Sequence, residues 1–323
     1  MAREVASITQ IPGIFAGNCS ETDAGTGVTV IVCPKGATGG VDVRGGAPAT
    51  RETDLLRPEE TVSVLHAVVL SGGSAYGLSA ACGVAEELER RGIGIDVGVC
   101  RVPIVSGACL FDLAVGDAKV RPTSVDGIEA TMEALDNPGV PLERGNVGAG
   151  TGATVGKIAG PERSMKTGLG EDVQVSGGLI VGAVSAVNAV GDVFDPETHE
   201  AIAGVLGPDG SLAANTDELL RASAADMPLP RTNTTISCIV TNAKLTKAEA
   251  TKVAQMSADA YAHTILPTHT TNDGDTIFVM ATGEVEAMVD VVGALAVRAL
   301  GRAIADSARS ATGAFGLKAA CDL

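Results

Sequence analysis

The sequence predicts an α+β fold in one domain over residues 1–323, and three observations carry that prediction. At 323 residues the chain is long enough to bury a large core. Strand-like and helix-like segments are interspersed, without a regular βαβ rhythm or an internal repeat. The hydrophobic fraction is an ordinary 45%, yet aromatics make up only 2% and Trp is absent. Small aliphatic side chains must therefore fill the interior, and the 41 Gly let backbones approach closely.

Taken in order, Val28–Cys33 reads as a strand ended by Pro34, and Val41–Arg44, stopping at Gly45-Gly46, as its neighbour. Pro58-Glu59-Glu60 places acids where a helix N-terminus favours them and predicts a helix there. The longest stretch without Asp, Glu, Lys or Arg is Thr61–Ala85. It holds His66, Ser71-Gly72-Gly73-Ser74 and Tyr76, too much polarity and glycine for a simple membrane span, and predicts a buried helix broken near the glycines. A second helix includes Leu78–Arg91. Gly178–Phe194 predicts a buried strand pair. Glu197–Arg231 predicts an exposed loop after a short helix, ending Met227-Pro228-Leu229-Pro230-Arg231. Thr235–Asn242 is a strand, and Thr246 with Glu249 forms a capping box that starts a helix to about His263. Thr276–Ala281 is a further strand, and Glu284–Arg309 a long helix with an apolar face.

Composition excludes several functions. A net charge of −16 with few aromatics repels phosphate backbones and offers no stacking surface, so nucleic acid is not an expected partner. Met1–Val5 opens no secretory signal. Seven scattered cysteines (Cys19, Cys33, Cys82, Cys100, Cys109, Cys238 and Cys321), odd in number and without a C-x-x-C pair, predict reduced thiols in the cytoplasm. Familiar cofactor motifs fail in detail. Gly156-Lys157 lacks the first glycine of a phosphate loop, which is Thr151, and its magnesium hydroxyl, which is Ile158. Gly148–Ala153 fits the dinucleotide fingerprint, but Gly160-Pro161 interrupts the helix it needs. Gly72-Gly73-Ser74-Ala75-Tyr76 misses the final glycine of a nucleophile elbow. His66, His199, His263 and His269 lack metal-ligand spacing and read as packing or surface. No cofactor and no metal are expected.

Asn233-Thr234-Thr235 stands where the polar loop meets a strand. A chain cut before Thr234 would begin with a hydroxyl residue whose own α-amine, of pKa ~7.7–8.0, can act as general base for its Oγ. Read alone, the same residues are also two strand-edge threonines. Asn272-Asp273-Gly274-Asp275 is by itself a turn, or else a carboxylate pair set near that nucleophile.

Several separated motifs occur together in order: Asp42-Val43-Arg44-Gly45-Gly46-Ala47-Pro48 with Thr50–Asp54, Ser71–Leu78, Asn233–Ser237, Val240-Thr241-Asn242, and Asp273-Gly274-Asp275-Thr276. In these the chain resembles, from about Ile8 to Ala305, the DmpA-type aminopeptidases. These are self-cleaving N-terminal-nucleophile hydrolases that include β-aminopeptidases and nylon-oligomer hydrolases. The resemblance implies a four-layer αββα sandwich and self-cleavage between Asn233 and Thr234 into residues 1–233 and 234–323. It implies that Thr234 is the nucleophile for that cut and then for small peptides or amides. Asn188 would donate to the oxyanion, Lys157 would lie beside Thr234, and Asp273 and Asp275 would complete the site. Homo-oligomers of αβ units are expected, with no nucleic-acid or membrane partner. Where relatives carry a Tyr whose hydroxyl helps at the oxyanion, this chain has Phe111. Two alternatives share the fold: an acyltransferase of the ornithine acetyltransferase type, and an unprocessed, non-catalytic small-molecule-binding scaffold.

Overall fold

A computed structural model describes residues 6–223 and 233–323. The main strands are β1 (Phe15–Glu21), β2 (Thr26–Val43), β3 (Leu65–Ser71), β4 (Val105–Cys109), β5 (Leu169–Ser176), β6 (Leu179–Asn188), β7 (Thr234–Ala243) and β8 (Thr276–Val285). Four helices of more than ten residues accompany them: α1 (Ala80–Arg90), α2 (Ser124–Asp136), α3 (Lys247–Thr264) and α4 (Val289–Arg309). The strands hydrogen-bond in the order β5-β6-β7-β8-β2-β3-β4, with Thr50–Arg51 at the far edge and β1 also on β2. Neighbours are antiparallel except β7 with β8 and β3 with β4, which are parallel.

β2 makes this one sheet fold into two. Its first half pairs with β1 and β3, and its second half, Thr38–Val43, pairs with β8. The register shifts between Val32 and Ala37, where Pro34 falls. Pro34 therefore does not end the strand. It occupies a bulge where the ladder is already interrupted and no donor is needed, so the two strands expected there are one. Three apolar layers result, set by alternation along each strand. Val28, Val30 and Val32 face α1 and α2 with Val84, Leu88 and Ala130. Ile31, Leu65, Val68 and Leu70 meet Val184, Ile236, Cys238 and Phe278 between the two sheet halves. Ala183, Ile239 and Val279 face α3 and α4 with Ala254, Tyr261 and Leu300. The stack is the expected αββα sandwich.

Other expectations need correction. Leu65–Ser71 is a strand, not a helix, and all seven residues are buried because β2 and β4 flank it while layers cover both faces. An apolar run that short does not separate strand from helix by period. Pro58-Glu59 is a turn, because Val62 and Val64 behind it alternate as extended chain does. Within Gly178–Phe194, β6 pairs with β5 and β7, whereas Asp192–Phe194 pairs with Ala201–Ala203 and Ile265–Leu266, so the two segments are not partners. The short helix expected near the polar loop is Thr216–Ala222, inside that segment. Met227–Arg231 lies outside the described residues. α4 begins at Val289 because β8 continues to Val285. Among the described residues no helix is long and apolar enough to cross a membrane.

Candidate active site

Three adjacent strands bring the site residues together at one end of the sheet. Asn188 closes β6 directly opposite Thr234, which opens β7. β8 runs parallel to β7, so the residues just before it lie beside those just before Thr234, and Asn233 bridges to Asp273. Thr234 is buried. Its hydroxyl donates to the Asn233 carbonyl, and its Oγ1 accepts from the Gly274 amide at 3.1 Å. The same amide lies 3.3 Å from the Asn233 carbonyl oxygen. Gly274 has to be glycine here, since a Cβ would stand 2.7 Å from Thr234 Oγ1.

The two aspartates differ in their surroundings. Asp273 Oδ2 accepts from the Thr270 amide at 2.6 Å, while its Oδ1 is buried without a hydrogen-bond partner among the described residues. Burial, with the neighbouring Asp275 charge, pushes the Asp273 carboxyl up to about 6. Asp275 is fully engaged. Its Oδ1 accepts from the Thr235 amide at 2.8 Å, and its Oδ2 accepts from Thr268 Oγ1, from the His269 amide, and contacts His269 Nδ1 at 2.8 Å. His269 stacks on Tyr261 of α3, whose hydroxyl donates to the Thr235 carbonyl at 3.1 Å. His269, expected only to pack, thus belongs to the shell around Asp275. No motif marks it, because its partners are Asp275, in the turn before β8, and Tyr261 of α3.

Lys157 and Asn188 form the other wall. Lys157 Nζ donates to the Asn188 backbone carbonyl at 2.9 Å and to its Oδ1 at 2.6 Å. That Oδ1 also accepts from the Thr154 amide at 3.1 Å, and Nδ2 donates to the Phe111 carbonyl at 2.8 Å. These contacts fix which end of the Asn188 amide carries the donors. Burial pushes the Lys157 amine down to about 7, against the opposing pull of the Asp273 and Asp112 charges. Lys157, Thr154 and Phe111 also line a cavity of about 690 Å³.

The remaining motifs support this geometry. Asp112 accepts from the Gly73 amide and from Thr26 Oγ1, each at 2.7 Å, which ties Ser71-Gly72-Gly73-Ser74 to the chain that presents the Phe111 carbonyl. The Ala47 amide donates to the Asp273 carbonyl at 2.8 Å and the Gly46 amide to that of Thr270, so Gly45-Gly46-Ala47 wraps the Asp-Gly-Asp turn. All five residues expected at the site, Thr234, Asn188, Lys157, Asp273 and Asp275, therefore converge. Chemically, the arrangement offers a hydroxyl against a carbonyl, two groups that exchange protons near neutrality, and an oriented amide donor. No group of three His, Cys, Asp or Glu side chains among the described residues has the arrangement of a metal site.

Comparison with known proteins agrees. The model of peptidase family S58 matches residues 6–320. An uncharacterized aminopeptidase of Mycobacterium leprae (strain TN) is 39% identical over 354 residues, covering 100% of this chain and 95% of the relative. A 6-aminohexanoate-oligomer endohydrolase of Kocuria sp. (strain KY2) is 32% identical over 278 residues, covering 85% of this chain and 74% of that one. In fold, the chain is similar to a Burkholderia sp. beta-aminopeptidase, with a TM-score of 0.69 at 21% identity, covering 98% of this chain and 91% of that one. It is also similar to the L-aminopeptidase D-Ala-esterase/amidase of Ochrobactrum anthropi, a variant of the Ntn hydrolase fold, with a TM-score of 0.67 at 18% identity and the same coverage.

Proposed function

The chain belongs to peptidase family S58 and is a hydrolase, and on that premise we propose that it cuts itself between Asn233 and Thr234 and then acts as an N-terminal-threonine aminopeptidase on small peptides or amides. The observation that carries this reading is the Thr234 hydroxyl held against the carbonyl of its own preceding residue, with the Gly274 amide on both oxygens.

In the uncut chain the Thr234 nitrogen is an amide and cannot serve as base. The proton of the attacking hydroxyl must go elsewhere, and Asp273 and Lys157, both pushed toward neutrality, are the groups suited to take it. Attack of Oγ1 on the Asn233 carbonyl carbon forms an ester and returns the proton to the departing Thr234 nitrogen. Water then hydrolyses the ester, leaving a carboxylate on Asn233 and a free amine and hydroxyl on Thr234. The α-amine then serves as base for the hydroxyl toward substrate, and an acyl-enzyme on Thr234 is hydrolysed in turn. Asn188 donates to the developing oxyanion, a contribution of about 3–4 kcal/mol for an oriented amide. Asp275 positions Thr235 and, through it, Thr234. Phe111 supplies a backbone carbonyl rather than a phenol hydroxyl, so the oxyanion loses one donor that relatives have.

The relatives named as 6-aminohexanoate-oligomer endohydrolases support a substrate range that extends beyond α-peptides. Seven free cysteines support a reducing, cytoplasmic compartment. Exposed Met288 and Val291, at the start of α4, support assembly into homo-oligomers of αβ units.

Intact mass under denaturing conditions tests the core of this. Two species are expected, the smaller beginning at Thr234. Thr234→Ala should give one species of 32.3 kDa and no amide turnover. Maturation of that variant would assign the nucleophile elsewhere.

A further inference from the structure

We propose, resting on the hydrolase reading above, that the cavity beside Lys157 holds the acyl half of the substrate and that Phe315 makes it select amino-acyl amides with an apolar side chain. Three of its lining residues, Lys157, Thr154 and Phe111, are hydrogen-bonded to Asn188, the cross-strand partner of Thr234. The cavity is thereby anchored to the reacting end of β7. Much of its wall is apolar, including Val115, Ile158, Phe315 and Leu317. Among the described residues Glu162 is the one carboxylate in the lining, and it is exposed. It suits the ammonium of an amino-acyl group and would repel an acidic side chain.

Phe315 carries the selectivity. It sits in a turn closed by the Ala314 and Leu317 backbones, which exchange hydrogen bonds of 3.1 and 2.9 Å. Phe315 has φ +55° and Gly316 φ +76°. Left-handed backbone at both central residues is the hairpin conformation that favours Asn and Gly, and it strains a bulky residue. Burial does not account for the strain, because Phe315 is 40% exposed. The turn is nevertheless firmly held: the Lys166 amide donates to the Lys318 carbonyl at 2.8 Å, and Lys318 Nζ donates to the Gly210 carbonyl at 3.1 Å. The ring lies over Gly25, where a Cβ would meet it at 3.0 Å. An aromatic side chain kept in a strained, anchored turn with its ring on a cavity wall fits a ligand clamp.

The test compares alanine, leucine, phenylalanine, glutamate and lysine p-nitroanilides. The mature enzyme should show kcat/KM for leucine and phenylalanine at least tenfold above glutamate and lysine, the scale that apolar pocket contacts reach. Phe315→Ala should lower the phenylalanine-to-alanine ratio about tenfold, chiefly through KM. Phe315→Asn suits the turn, so it should hold or raise Tm while lowering the same ratio. This second variant keeps the test valid if the first folds poorly. A wild-type enzyme that treats all five substrates alike, or variants that keep the ratio, would overturn the pocket and leave the hydrolase standing. If no amide is turned over, the hydrolase reading fails instead, and calorimetry with phenylalaninol decides the pocket. Binding that weakens fivefold or more in Phe315→Asn supports it; absent or unchanged binding overturns it.

Discussion

Two buried lysines on one stretch of chain, Lys157 and Lys166, look alike by burial and differ in what surrounds the amine. Burial depresses both amines. Lys166 Nζ donates to three backbone carbonyls, those of Gly150 and Ala153 at 3.1 Å each and that of Thr167. Three acceptors match the three N–H bonds of an ammonium, so this cage opposes deprotonation and staples the chain around Gly150–Ala153 to Thr167. Lys157 instead meets the Asn188 side chain and lines the cavity. A displaced pKa therefore marks a reacting amine only when its partners and its access also fit.

The sharpest way to break this comparison is to remove each amine. Lys157→Met should slow self-cleavage by 100-fold or more, the scale of general acid–base loss, with a change in Tm of a few degrees at most, because the lost donors to Asn188 are offset by removal of a buried charge. Lys166→Met takes a donor from three buried carbonyls, of which those of Gly150 and Ala153 keep the Ala153 and Thr167 amides; the loss at the Thr167 carbonyl, roughly 1–3 kcal/mol, should lower Tm by a few degrees. A Lys166→Met protein with unchanged melting and lost turnover would reverse the two assignments.

Asn188→Ala comes next, with an expected loss of about 100-fold in kcat, read by steady-state kinetics. A smaller effect concerns pH. The Lys157 amine is protonated below about 7 and becomes a base above it, so the rate of self-cleavage should rise through that pH. In Lys157→Met the limb should move down toward Asp273, at about 6. A flat profile from pH 6 to 8 would remove both groups from the proton path.

The smallest effect extends the comparison to an acid outside the site. Glu171 accepts from Ser7 Oγ and the Ile8 amide, and burial pushes it up to about 7. The folded chain keeps a proton that the unfolded chain loses above ~4.3, so stability falls as pH rises between these values and levels off above the upper one. Glu171→Gln should raise Tm by a few degrees at pH 8, scarcely change it at pH 4, and leave turnover intact.

Legibility in the sequence followed the range of each signal. The strand at Thr235–Asn242 and the capping box at Thr246 are local, and β7 and α3 appear where they predict. The Thr123–Asp126 capping box of α2 is equally local, but its helix went unrecognised because Gly127 and Thr131 weaken its apolar face. β2 and β3 were misread because their state depends on neighbours distant in sequence. The site residues were legible only through the order of several motifs. Taken alone, Asn233-Thr234-Thr235 reads as a strand edge. Phe315 gave no signal, since it matters through contacts with remote chain segments, and His269 gave none because its partners Tyr261 and Asp275, though near in sequence, form no known motif with it.

The strand order has one more consequence. A cut before Thr234 places β7 and β8 in the smaller piece, while β6 and β2, which flank them, stay in the larger. The two pieces would interleave across the middle of one sheet rather than meet along a surface. Neither could leave without tearing out two inner strands, so parting and unfolding would be one event. Diluting the cut protein should not separate its pieces at any concentration where it stays folded.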